Sequence, residues 1–190
     1  HGIGTPVDEQ EAALWLARSA GHDYARGQFL LGQCYADGTG LPRDEVRAVG
    51  LFEAAHHRHY APASYLLGLC CEAGRGTARD PVRAAALYRA AAQQGDARAQ
   101  CSLGDCYRLG IGVAPDPDRA MEWYARAAAQ GHARAQYRLG QCYEAGSGGD
   151  RDLTRARELY RAAAAKGLAE AEASLHRLDH PPRKRFLGLF

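Results

Sequence analysis

The chain has 190 residues, 46% hydrophobic and 24% charged, the balance of a globular protein and not of a disordered one. Ala, Leu, Arg, Glu and Gln outweigh the β-branched residues throughout, which points to an all-α fold and excludes a strand-rich one. The formal charge is +2; Arg183, Lys184 and Arg185 supply three positive charges, so the body sums to about −1, with no electrostatic case for nucleic acid and no apolar run of the roughly 20 residues that a membrane span needs.

In chain order, Gly2-Ile-Gly4-Thr-Pro-Val-Asp8 reads as a glycine turn leading into a helix N-cap. The helix that follows carries Ala12 and ends near Asp23, a residue type that tolerates φ > 0. A second helix passes through Leu31-Gly32 and stops at Gly38-Thr-Gly40, and there the pattern restarts with Asp44 and Ala48. Gly38, Gly74, Gly110 and Gly146 recur at intervals of 36, in step with Gly40, Gly76, Gly112 and Gly148, with Asp44, Asp80, Asp116 and Asp152, and with Ala48, Ala84, Ala120 and Ala156. Asp80-Pro81 and Asp116-Pro117 place proline where its missing N–H costs nothing. The helix over 119–129 sets Ala120, Trp123, Tyr124 and Ala127 on one stripe. It is expected to end at Gly131 through a left-handed residue, as its equivalents do at His59, Gly95 and Gly167.

The other helix of each unit, typified by 133–143, carries Ala135 and Gly140, small enough for a neighbouring helix to approach, with Tyr137, Leu139 and Tyr143 filling the gaps. Neither helix buries its apolar stripe alone, so the units must stack. A final helix over 169–178 lacks the Gly and Tyr signature and reads as a cap. His180-Pro181-Pro182 ends it.

The run Leu139-Gly140-x-x-Tyr143-x-x-Gly146-x-Gly148, then Asp152, Ala156 and Tyr160-x-x-Ala163-Ala164, resembles the Sel-one-like repeats, bacterial relatives of the tetratricopeptide repeats. The resemblance spans roughly residues 2 to 178. It implies a right-handed α-α superhelix, or solenoid, of two-helix repeats whose concave face binds other proteins. The division it implies is a repeat domain over 1–179, of about five units, and a basic-hydrophobic tail over 180–190. The chain opens in mid-repeat, so the first unit is expected to be truncated, with any signal peptide or further repeats lying upstream.

Cys34, Cys70, Cys106 and Cys142 share one register on successive helices, whose spacing of about 8–10 Å exceeds what a disulfide spans. Cys71 and Cys101 replace aromatic residues. All six are expected to be buried thiols, which favours the cytoplasm. His56-His57-Arg58-His59 is a cluster that reads as a solvated helix end before a metal site. No nucleophile-base pair, P-loop or metalloprotease motif occurs, so neither catalysis, a cofactor nor a metal is expected.

The expected function is a non-catalytic scaffold or adaptor, binding a protein or peptide through the concave surface. The alternative is a secreted or periplasmic binder, such as an inhibitor or immunity protein, if a signal peptide lies upstream. Positions that differ between repeats mark the candidate surface, among them Arg98, Gln100, Asp105, Arg134, Gln136, Arg138 and Gln141; of these, Arg98, Arg134 and Arg138 with Gln100 and Gln136 are expected to form a positive, hydrogen-bonding strip suited to a peptide carboxylate or acidic segment. In the tail, Arg185, Leu187, Leu189 and Phe190 form a second candidate docking motif. Its ending is similar to the peptide that binds the bacterial sliding clamp, with Phe186 in place of the glutamine. Folding back on its own last repeat and self-association through another copy are the competing readings.

Overall fold

The structure, a computed structural model, describes residues 8–21 and 24–180. Among them are ten helices and no strands. They fall into two compact units, His1–Pro115 and Asp116–Phe190. The first holds α1 (Glu9–Gly21), α2 (Ala25–Asp37), α3 (Glu45–His57), α4 (Ala61–Ala73), α5 (Pro81–Gln93) and α6 (Ala97–Leu109). The second holds α7 (Pro117–Ala129), α8 (Ala133–Ala145), α9 (Leu153–Ala164) and α10 (Ala169–Asp179). Within each unit every helix packs on its neighbours in sequence, most extensively where a glycine loop joins α2 to α3, α4 to α5 and α8 to α9.

The helix ends follow the sequence. Asp44, Asp80, Asp116 and Asp152 have extended backbones, and their carboxylates accept from amides of the first turn, such as Arg83 N–H at 2.9 Å. Each satisfies a donor the helix cannot. At the other end the Cys70 carbonyl accepts from Gly74 and Arg75, and the next carbonyl, that of Cys71, accepts from Asp80 N–H at 2.8 Å. One loop thus closes α4 and opens α5. The left-handed residues stand at His59, Gly95, Gly131 and Gly167 as expected; Asp23 lies outside the described residues.

The glycines record close approaches. A Cβ on Gly68 would lie 2.6 Å from the ring of Tyr88, and Gly32 and Gly140 stand in the same way against Phe52 and Tyr160. Gly76, at φ 66°, leaves no room for a Cβ against the carbonyl of Glu45, the first residue of α3. The loop therefore locks one repeat onto the last. Ala48, Phe52, Leu67, Tyr88, Leu103, Tyr124 and Tyr160 are buried to within 1%. Trp123 departs from its stripe: it is half-buried, with the Arg126 guanidinium 4.4 Å above its ring.

All six cysteines are free. Cys71, Cys101, Cys106 and Cys142 are buried as expected, but Cys34 and Cys70 are only half-buried. Cys70 lines an open cleft between α2 and α4.

Candidate protein-binding face

The helices that precede each glycine loop, α2, α4, α6 and α8, carry the positions that differ between repeats. The structure sorts these into separate roles. Gln28, Ser64 and Gln100 are buried, and Gln136 is half-buried. Gln100 Nε2 donates to the Ala92 carbonyl at 3.1 Å, and Gln136 Nε2 to that of Ala128 at 3.4 Å. The two glutamines therefore tie each helix to the one before it and do not form the exposed strip that the sequence led us to expect. In the second repeat the shorter Ser64 cannot span that gap. There His56 stands where the others have alanine, and its Nδ1 lies 2.7 Å from Ser64 Oγ. The most metal-like histidine is thus part of the packing.

Arg26, Arg98 and Arg134 are exposed. Arg98 is committed to its own helix end: Nη2 reaches Asp96 Oδ2 at 2.7 Å, and the guanidinium lies 4.7 Å above the Tyr65 ring. The remaining registers, Leu30, Leu66, Ser102 and Arg138 with Gln33, Leu69, Asp105 and Gln141, are half-buried throughout. These are the groups that a ligand reaches.

In the first unit they frame a cleft of about 180 Å³ between α2, α3 and α4. Gln33 and Ala36 form one wall, Leu66, Leu69 and Cys70 the other, and Ala48 and Phe52 the floor, with Asp37, Glu45 and Arg75 at the rim. Farther along α4, Glu72 Oε2 accepts from the Tyr88 hydroxyl at 2.5 Å. On α6, Asp105 pairs with Arg108 at 3.3 Å.

In the second unit Arg138 Nη1 donates to Gln141 Oε1 at 3.0 Å, and Gln141 Nε2 to the Tyr137 hydroxyl at 2.9 Å. Glu144 repeats the arrangement of Glu72, accepting from the Tyr160 hydroxyl at 2.7 Å. Here it has a second partner: Arg177 of α10 grips it with both terminal nitrogens, at 2.6 and 2.9 Å. That guanidinium, more than the Tyr160 hydroxyl, holds the Glu144 carboxyl below the usual carboxylate range. Arg157 ties α9 to α10 through Asp179 at 3.1 Å.

Sequence reasoning missed the carboxylate–tyrosine pairs, although a signal exists. Sixteen residues separate Glu72 from Tyr88 and Glu144 from Tyr160, and at the same spacing Ala36 precedes Phe52, which has no hydroxyl to satisfy. Chemistry of a nucleophilic kind has little support. Burial pushes up the thiols of Cys34, Cys70 and Cys71, and burial with Glu72 and Asp105 nearby raises Cys106 to about 12. Thiols held protonated are poor nucleophiles. Among the described residues no three His, Cys, Asp or Glu side chains converge as a metal site, and no helix is long and apolar enough to cross a membrane. Arg185, Leu187, Leu189 and Phe190 lie outside the described residues.

Comparison with known proteins gives the following. A family model described as Sel1 repeat matches residues 1–24, 25–55, 61–96, 97–132 and 133–168. A Sel1 repeat protein from Oxalobacter formigenes is 34% identical over 94% of this chain and 71% of its own, with a TM-score of 0.87. The protein c5321, a protective antigen of uropathogenic Escherichia coli strains with an SLR fold, is 34% identical over 87% of this chain, with a TM-score of 0.85. The match spans 36% of that longer antigen. The immunity protein Pa5087 from Pseudomonas aeruginosa is similar in fold, with 21% identity over 88% of this chain and 62% of its own and a TM-score of 0.59. No curated protein matches the chain.

Proposed function

Because the chain belongs to the Sel1 repeat family, we propose that it is a non-catalytic protein-binding module that holds a partner on the accessible face of the helices that precede its glycine loops, as a scaffold or adaptor does. The observation that carries this reading is the division of labour among positions. Leu67, Leu103, Gly32, Gly68 and their partners repeat and are buried, whereas Gln33, Leu66, Leu69, Asp105 and Gln141 change from repeat to repeat and stay half-buried. Fold needs the first set alone, so the second is available for recognition. The apolar cleft between α2 and α4 gives that face a concave seat with charged groups at its edge, the usual composition of a site that grips a peptide side chain. The six free thiols favour a reducing compartment. An inhibitor or immunity protein would use the same face; its support is the likeness of fold to Pa5087.

The test is affinity capture with the full chain as bait. Replacing Leu66 and Leu69 together by Asp, and separately Arg134 by Glu, should reduce recovery of bound protein at least about tenfold for the cleft pair, since a desolvated anchor contributes most of an interface's energy. Helical content by circular dichroism should not change. Full recovery by both variants would overturn the assignment of the binding face.

A further inference from the structure

The face described above differs in chemistry from one helix pair to the next, and the second unit shows what one of its seats accepts. Glu144 has two partners, the Tyr160 hydroxyl of α9 and the Arg177 guanidinium of α10. Glu72 has the first of these, from Tyr88, and among the described residues no cation as the second. The residue in the register of Arg177, thirty-three positions on, is Asp105, a carboxylate paired with Arg108 of its own helix where the other unit has a guanidinium directed at the glutamate. One helix earlier, the equivalent positions are Ala36 and Leu69, and they line the apolar cleft. The first unit thus offers an apolar seat between α2 and α4 and, next to it, a carboxylate already oriented by a tyrosine hydroxyl and lacking the cation its counterpart holds.

From this juxtaposition we infer that the cleft and Glu72 together receive the segment 183–190 of a second copy of this chain, an apolar side chain entering the cleft and a cationic one pairing with Glu72. The inference rests on the binding face proposed above. Adjoining helices of a repeat array lie about 8–10 Å apart, and an extended chain advances about 3.3 Å per residue, so the two seats suit side chains three residues apart. Arg183 and Phe186 have that spacing, as do Lys184 and Leu187. Asp37 at the rim matches a remaining cation, whereas Glu45 is already paired with Arg43 and Arg75 is an opposing charge. A charge-assisted pair with a carboxylate is the kind of contact that fixes register, while the apolar side chain supplies affinity. The contact joins unlike surfaces of the two copies, so it is heterologous and extends beyond a dimer unless it closes on itself.

The experiment is sedimentation velocity of the full chain across concentrations, with two variants. Glu72→Gln keeps an acceptor for the Tyr88 hydroxyl and removes the charge. Lys184→Glu with Leu187→Asp spoils the segment and leaves the cleft intact. The wild type should self-associate with rising concentration, each variant alone should associate about tenfold more weakly, and an equimolar mixture of the two should recover a dimer, because one supplies the cleft and the other the segment. Glu144→Gln, altered where Arg177 already occupies the seat, should associate as the wild type does. A labelled peptide of residues 183–190 should bind the segment variant and bind Glu72→Gln about tenfold more weakly, with both affinities falling as salt rises. A wild type that stays monomeric, or a mixture that recovers no dimer, overturns the inference. If that happens while the Leu66 and Leu69 variant still loses captured protein, the binding face stands and only its proposed occupant falls.

Discussion

Histidine 56 and serine 64 illustrate how single residues in this chain are understood through their counterparts. Where Gln100 and Gln136 reach back to a backbone carbonyl, Ser64 is too short, and the imidazole of His56 occupies the gap. Burial, followed by His57, Arg83 and His59, lowers the His56 pKa, with Glu53 opposing. Its folded value lies below the unfolded one of about 6.5, so the unfolded chain binds the extra proton first. Stability is therefore complete above that pH and is lost as pH falls from there through the folded value. We predict that urea midpoints measured from pH 7.5 down to 5 decline in the wild type and that this decline shrinks in His56→Ala. The single variant should cost about 1 kcal/mol at pH 7.5 by removing this bond and leaving the Ser64 hydroxyl only the Tyr60 carbonyl, at 3.4 Å. Adding Ser64→Gln rebuilds the bond used by the other repeats and should recover at least half of that loss; no recovery would refute the pairing.

Among the elements, the glycine loops carry more of the fold than their length suggests. Gly95 and Gly76 both have positive φ, at 92° and 66°, yet a Cβ on Gly95 would meet nothing within 4 Å, whereas one on Gly76 would overlap the Glu45 carbonyl. The first substitution is a matter of backbone conformation and the second also of position. Gly95→Ala should cost about 1 kcal/mol, the penalty of a left-handed residue with a side chain. Gly76→Ala should cost roughly 3 kcal/mol or more, because α3 must move away from the loop. Equilibrium unfolding in urea checks both, and equal losses would mean that the loop does not lock one repeat onto the next. The capping aspartates and the paired glycines were legible in the sequence because their roles are local. The carboxylate–tyrosine pairs were not, since each joins residues sixteen apart on two helices.

For the molecule as a whole, stability is built from neighbour contacts, helix on adjoining helix, within each unit. An array of this kind loosens piecewise. Tyr160 is fully buried, stands over Gly140 and donates to Glu144. Tyr160→Ala should cost about 3–5 kcal/mol, the range for removing a large buried ring. We predict that amides of α8, α9 and α10 then exchange faster, while those of α2, α3 and α4 keep their protection in hydrogen–deuterium exchange. Uniform loss of protection along the chain would show instead that the repeats unfold as one.

By itself the sequence determined the number and kind of helices, the repeat, the caps and the left-handed ends, because each depends on a few adjacent residues or on strict periodicity. The 36-residue interval also separated positions that recur from those that vary. Only the tertiary structure decided which variable positions are accessible. Gln100 turned inward because a carbonyl one helix away lies within reach of its amide, and Leu66 and Leu69 became the wall of a cleft because Ala36 leaves space opposite them. Burial and partnership across helices depend on side-chain length against the gap it must span. That distance is set by packing, and no single strand of sequence contains it.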